Sequence, residues 1–352
     1  MISVSSKILA LAEEAVVLVR YGRIVLANPA AERFIGADCT GKKIKDVFSR
    51  EIAEAQAGCF CADTVIAGRR CCVRTVRADD MQVYYISQPD TAPSLVNDAF
   101  IYAMRSSLMN MRMSVDIGRA KSAKYSDGEL EENYNRLTRD HFRMARLLDN
   151  ASVVRAVAAG ELAVVPQPLD LTALCRTIID TVSLLRADVG FSLYCDERVC
   201  VSADKELIEQ LIFNLISNAL THAEGLDHIT LSLCSTETAA MLSVSDNGCG
   251  IGEDALSTVF ERYRAGFEIS SLGRGAGLGL SAVRAIAQAH DGTLMIESRA
   301  GRGTHARVSL AHTLPLSTLK STDMEYTDGM RSVLTGLADC LGEECFGERY
   351  MD

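Results

Sequence analysis

The sequence predicts an α+β fold divided among several domains, and three observations carry that prediction. The chain's 352 residues exceed the roughly 250 to 300 at which a single core stops growing. Short strand patterns with turn signals fill the N-terminal part, and two helical runs with a single apolar stripe follow them. An α/β pattern then occupies the chain up to about residue 312.

In residues 8–90, AVVLV and RIVLA read as strands around a turn at Tyr21 and Gly22. DTVIA, RRCCVRTV and MQVYYIS follow as further strands, rich in β-branched residues. The segment QPDTAPSLVND carries two of the six prolines and breaks the chain before the next helix.

Residues 95–160 form an antiparallel helical hairpin. Ile101, Met104, Leu108, Met111, Val115 and Gly118 alternate steps of three and four, the seam of a coiled coil or bundle. Leu130, Tyr134, Leu137, His141, Met144, Leu148 and Ala151 repeat that spacing after a turn containing Ser126, Asp127 and Gly128. Each helix has one apolar stripe, so the hairpin is expected to pair with a second copy as a four-helix bundle, making the protein a homodimer. The α/β region, 165–312, opens with an extended crossing and a helix cap at Asp170. The tail, 313–352, holds one helix, MRSVLTGLADCL, and is assigned no role.

Hydrophobic residues make up 48% and charged residues 23%, the composition of an ordinary globular protein. The formal charge of −10 repels polyanions and argues against nucleic acid or an anionic membrane surface as the main partner. No apolar run approaches the roughly 18 residues of a membrane span, and the first residues lack the features of a secretion signal. A cytoplasmic location is expected. The 12 cysteines lack zinc-site spacing. Cys59 with Cys61 and Cys71 with Cys72 are placed to hold a metal or sense oxidants if they face across strands; buried thiols acting as small hydrophobes are the expectation.

Four segments of the α/β region have complementary chemistry. In ELIEQLIFNLISNAL, Asn214 and Asn218 share a helix face, and their amide oxygens suit Mg²⁺, with Asn218 the main candidate ligand. LSVSDNGCGIG ends a strand in a turn where Asp246 is placed to accept from the exocyclic amine of adenine, while Gly248, Gly250 and Gly252 permit close backbone approach. SLGRGAGLGLSAVRAIAQAHDG runs a glycine loop into a helix. Gly275, Gly277 and Gly279, with Leu278 between the last two, present N–H groups to phosphates. SRAGRGTHARVSL turns between strands and returns Thr304 to the adenine side. VFERYRAG, with Phe260, Arg262 and Arg264, reads as a lid. Each segment alone is weak; the four in order point to a nucleotide site.

This set resembles the GHKL ATPase family, named for gyrase, Hsp-type chaperones, histidine kinases and MutL-type proteins, most closely its histidine-kinase branch. LLDNASVVRAVAAGELAVVPQPLDLTALC resembles the passage from a kinase dimerisation helix into its catalytic domain, and LVRYGRIVLANPAAERFIG resembles the opening of a PAS sensor domain, with a helix start at Asn28 and Pro29. The resemblance implies a PAS-like sensor, a dimerisation hairpin and an α/β-sandwich ATPase domain binding Mg·ATP, in a two-component signalling protein with a response regulator as partner.

Two departures qualify the expected activity. Where that family carries a phosphoacceptor His followed by an acid, YAMRSSL places Tyr102 and Ala103, so nucleophile and base are both absent. Ser106 stands where the family has Thr or Asn, a position suited to orienting water for dephosphorylating a partner. His141 reads as a core or interface histidine. Where the family has Lys and an aromatic, this chain has Thr221 and His222. Losing that lysine removes a contact of about 1.5 to 3 kcal/mol, and His222 either stacks on nucleotide or lies at the surface. Three readings stay open: a kinase acting on Tyr102 or on a partner, a degenerate kinase serving as an ATP-dependent binding module, and a chaperone-like ATPase. Against the last, the position of its catalytic acid is Asn214.

Overall fold

The computed structural model describes residues 14–49, 52–53, 60–78, 81–87, 98–122, 128–195, 198–222, 225–236, 238–252, 278–311, 329–347 and Tyr350. Strands β1 (Ala15–Arg20) and β2 (Arg23–Ala27) pair antiparallel. Their two-residue turn places Tyr21 at φ 50° and Gly22 at φ 71°, the primed geometry that matches strand twist. Helix α1 (Pro29–Ile35) starts with proline in its first turn, where no N–H is needed. Buried Asn28 caps it, accepting from Ala31 N and from Val16 N, both at 2.9 Å, so one amide fixes the helix onto β1.

Strands β3 (Phe60–Ile66), β4 (Arg69–Ala78) and β5 (Met81–Ser87) complete the N-terminal sheet around Val17, Ile24, Phe48, Phe60 and Tyr84. Cys71 and Cys72 are buried, and burial pushes the Cys71 thiol up to about 12, so these cysteines pack as small hydrophobes. Cys59 lies outside the described residues, among which no group of three or more His, Cys, Asp or Glu is gathered for a metal.

Helices α2 (Asp98–Ser122) and α3 (Gly128–Ala158) form the hairpin. Ile101 and Leu108 are buried as the seam requires, and Arg105 bonds Asp149 across it at 2.8 Å. Gly118 admits the Tyr134 ring, since a Cβ there would lie 2.7 Å from Tyr134 Oη. The seam departs from expectation at Met111 and Leu137, which are exposed, and Arg112 turns inward instead, its guanidinium 5.4 Å from the Phe142 ring centre. Helix α3 has a second buried face that its spacing hides under polar residues: Asn135, Thr138, Phe142, Arg146, Asn150 and Val153.

The α/β region opens with β6 (Gln167–Asp170), paired with β8 (Cys200–Ala203). Helix α4 (Leu171–Leu185) is capped by Asp170, which accepts from Ala173 N at 2.9 Å. Strand β7 (Gly190–Cys195), helix α5 (Lys205–His222), strands β9 (His228–Ser235) and β10 (Ala239–Asp246), helix α6 (Leu278–Ala289), and strands β11 (Leu294–Ser298) and β12 (Thr304–Ala311) follow. Their shared core includes Ile178, Ile208, Ile212, Leu231, Leu242, Val283, Ile286 and Val308, each fully buried. The two sheets join, β3 against β11, giving ten strands in the order β2-β1-β5-β4-β3-β11-β12-β10-β9-β7. That pairing satisfies two strand edges at once, and a buried ion pair, Arg284 to Asp63 at 2.8 Å, lies beside it.

The C-terminal segment folds back onto the molecule. Helix α7 (Gly329–Gly336) is shorter than the 330–341 its sequence suggests. It stops at Gly336, which lies so close to the Phe213 ring that a Cβ would overlap it. Turns and a short 3-10 helix, Glu343–Phe346, then carry the chain on, and Val333, Leu334, Leu337 and Phe346 are wholly buried. Among the described residues, no helix is long and apolar enough to cross a membrane.

Candidate functional site

Helix α5 presents Asn214 and Asn218 on successive turns, and helix α6 begins beside them. A Cβ at Gly279 would lie 3.4 Å from the Oδ1 atoms of both asparagines, an ordinary contact distance, so the N-terminus of α6 lies beside two amide oxygens. Leu278, the first residue of α6, is buried and fixes that end of the helix. The Nδ2 of Asn218 is buried and has no hydrogen-bond partner among the described residues. Gly275, Gly277 and the lid residue Arg264 lie outside the described residues.

Asn214 is positioned differently from what its spacing suggests. It is 1% exposed, and its Oδ1 accepts from Arg146 Nη2 and Asn150 Nδ2, each at 3.0 Å. Its Nδ2 donates to Asn150 Oδ1 at 2.7 Å, which also accepts from Gln210 Nε2 at 2.8 Å. A carbonyl oxygen has two lone pairs, and both are taken, so Asn214 offers no ligand to Mg²⁺ in this conformation. Asn218 keeps that role as a candidate. The partners Arg146, Asn150 and Gln210 were not evident from sequence; the one available signal was that Arg146 and Asn150 stand four apart on a helix and so share a face.

Asp246, Gly248 and Thr304, which the sequence assigns to an adenine side, lie together. Asp246 ends β10, and its Oδ1 accepts from Gly248 N at 3.0 Å and Thr304 N at 3.2 Å. Burial raises its carboxyl pKa and the two backbone N–H groups oppose that shift. Ser298 ties the loops together, its Oγ contacting Ile251 N at 2.8 Å, Gly303 O at 3.0 Å and Thr304 Oγ1 at 2.9 Å. Gly250 and Gly303 have φ of 63° and 77°, and a Cβ on either would strike backbone, Arg299 O for the first and Asp246 O for the second. His222 is exposed at the end of α5, where its carbonyl accepts from Cys249 Sγ at 3.7 Å.

In the hairpin, Tyr102 is 78% exposed on α2, with Ser106 exposed one turn later. His141 is half-buried against Phe142, its Nδ1 without a partner among the described residues. Burial, then the cations Arg112 and Arg331, hold its pKa below the usual imidazole value, which favours the neutral ring against Phe142.

Comparison with known proteins bears on the domain that holds these residues. Residues 203–314 match the family described as histidine kinase-, DNA gyrase B- and HSP90-like ATPase. The chain is similar to histidine protein kinase DivJ of Caulobacter vibrioides, 37% identical over 110 residues, 31% of this chain and 18% of that protein. It is also similar to the adaptive-response sensory kinase SasA of Synechocystis, 30% identical over 177 residues, 49% of this chain and 45% of that one. Against sensor histidine kinase YkoH of Bacillus subtilis the identity is 33% over 178 residues, 50% of this chain and 38% of the relative. The chain thus spans less than half the length of these relatives. Among solved structures, full-length ShkA in complex with AMPPNP shares the fold, with TM-score 0.51 and 17% identity over 62% of this chain and 47% of that one. The chain carries a histidine-kinase-like ATPase domain in a mixed α+β architecture and resembles sensor histidine kinases.

Proposed function

We propose that this chain is a histidine-kinase-type signalling protein that binds Mg·ATP and acts without autophosphorylation at the usual hairpin position. The observation that carries the nucleotide reading is the placing of Gly279 beside Asn218 together with the bond of Thr304 N to Asp246. These groups fit ATP. The α6 N-terminus at Gly279 offers backbone N–H groups to a phosphate, Asn218 offers an amide oxygen to Mg²⁺, and the half-buried Asp246 carboxylate suits the adenine amine. The metal, when bound, would neutralise phosphate charge; the chain's own residues orient the nucleotide.

Tyr102 and Ala103 at the phosphoacceptor and acid positions support the absence of the usual transfer. Organisation into a PAS-like sensor (8–90), hairpin (95–160), ATPase domain (165–312) and tail (313–352) is part of this reading. So is homodimerisation, supported by the exposed Met109, Met111, Met113 and Ile117 along α2. A cytoplasmic location and a response regulator as partner complete it, the chain acting as an ATP-dependent binding module. The exposure of Tyr102 favours one second reading, transfer to its phenol.

Incubation of the full chain with γ-labelled ATP tests this. Binding without label supports the binding module, and acid-stable label lost in Tyr102→Phe supports the second reading. Acid-labile label would indicate a phosphohistidine at another position and overturn the binding-module reading.

A further inference from the structure

The tail, to which the sequence assigns no role, is built into the junction between the hairpin and the nucleotide helix. Four arginines line one face of α3: Arg136, Arg139, Arg143 and Arg146. Asp339 meets two of them, with Oδ1 3.0 Å from Arg143 Nε and Oδ2 2.7 Å from Arg146 Nη1. Glu343 meets the other two, 3.1 Å from Arg136 Nε and 3.0 Å from Arg139 Nη1. Beyond them, Phe346 packs on Phe142 with ring centres 5.8 Å apart, and its carbonyl accepts twice from Arg119 of α2, at 3.2 and 3.3 Å.

The same segment grips the nucleotide domain. Gly336 rests on Phe213 of α5, and Arg186 Nη1 of the loop after α4 donates to Cys340 O at 2.8 Å. Cys340 Sγ lies 3.2 Å from Ser217 Oγ and 3.1 Å from Thr221 Oγ1 on α5. Thr221 is the position where the resembled family carries its lysine. The tail therefore bonds to α3 and α5 together, and Arg146 is the shared element, held by Asp339 at one nitrogen and holding Asn214 with the other.

We propose that residues 329–347 are an intramolecular clamp that holds α3 on α5 and keeps Asn214 engaged, so that its amide oxygen becomes available to the nucleotide's metal only when the clamp opens. This rests on the Mg·ATP reading for its consequence but not for its mechanics. Both lone pairs of Asn214 Oδ1 are occupied by donors from α3. A Mg²⁺ ligand must surrender such contacts, and the donors withdraw only if α3 moves. Asp339 at 32% and Glu343 at 30% of their side-chain surface are partly exposed, so their pairs with Arg136, Arg139 and Arg143 are weak and solvent-screened, whereas Arg146, 10% exposed, is the buried cation that loses its partner when Asp339 is neutralised. The apolar anchors Leu334, Leu337 and Phe346 keep the tail folded when those charges are removed.

The test compares the full chain with its Asp339→Asn/Glu343→Gln form, which keeps every apolar anchor. Amide exchange over 143–150 and 205–222 is measured without nucleotide, and ATP affinity by calorimetry, with Mg²⁺ and with a chelator. The clamp predicts faster exchange in both segments and about three- to tenfold tighter Mg·ATP binding, with ATP in chelator unchanged. Unchanged exchange overturns the clamp whatever happens to nucleotide. Faster exchange with unchanged Mg·ATP affinity overturns the gate on Asn214. Faster exchange with no ATP binding by either protein supports the clamp and overturns the ATP reading instead.

Discussion

Arg146 joins Asp339 to Asn214 through the two ends of one guanidinium, at 2.7 Å on Nη1 and 3.0 Å on Nη2. A single buried side chain thereby connects the tail, the hairpin and the helix that carries the candidate metal ligand. Burial lowers the pKa of Arg146 while Asp339 opposes the shift, the signature of a cation kept inside by its carboxylate partner.

Arg146→Ala leaves Asp339 without its shortest contact and Asn214 Oδ1 with one donor. We expect a loss of about 1–3 kcal/mol, since the carboxylate is partly solvated and escapes the full penalty of a stranded buried charge. Arg146→Lys should also destabilise, because a single ammonium lacks the fork that reaches both partners. Urea denaturation of the three proteins checks the order, wild type most stable.

The nucleotide-side turns should show a graded response to alanine. Gly250→Ala and Gly303→Ala combine positive φ with a Cβ that meets backbone, whereas Gly301 has φ 74° with nothing within 4 Å of a Cβ. The first two should therefore cost more than the roughly 1 kcal/mol expected of Gly301→Ala, where only the left-handed conformation is disfavoured. Melting temperatures of the three variants give the ranking.

These two predictions also separate what the sequence made legible from what it did not. The caps at Asn28 and Asp170 and the Tyr21–Gly22 turn depend on local chemistry, and local chemistry is written in spacing; the approach of Thr304 to Asp246, 58 residues apart, is legible only from the order of the glycine-bearing segments. The second face of α3 was hidden because Asn135, Thr138, Arg146 and Asn150 read as solvated polar residues, and only a distant segment reveals that they are buried. Asp339 and Glu343 likewise read as surface charges until their arginines, about 200 residues earlier in the chain, are placed beside them. The joining of β3 to β11 is a pairing of edges, for which strand periodicity offers no partner code.

Acid should weaken the hairpin through His141. Its folded pKa lies below the ordinary value of 6.5, so its contribution is present above that value and is lost as pH falls through the folded pKa. Arg112 on α2 and Arg331 on α7 repel the imidazolium, and Asp116 only partly compensates. Stability measured from pH 7 downward should fall less steeply for His141→Phe than for the parent; equal slopes would remove His141 from the account.

Asp246 has the opposite sign. Its folded pKa is raised, so its contribution is present below the ordinary value of 3.8 and is lost as pH rises through the folded pKa; at pH 7 the ionised, half-buried carboxylate destabilises. Asn at this position retains an Oδ1 for Gly248 N and Thr304 N. Asp246→Asn should therefore raise the melting temperature at pH 7 while weakening nucleotide binding, the trade expected of a residue kept for its chemistry.

Equilibrium titration of Mg·ATP into the Asp339→Asn/Glu343→Gln chain decides whether this site takes ATP, because Asn214 is expected to be free there. Saturable binding at one site per chain, weakened at least about tenfold when Asp246→Ala is added, is the predicted result. Absence of saturable binding, or binding that Asp246→Ala leaves unchanged, would contradict the assignment of this site to ATP.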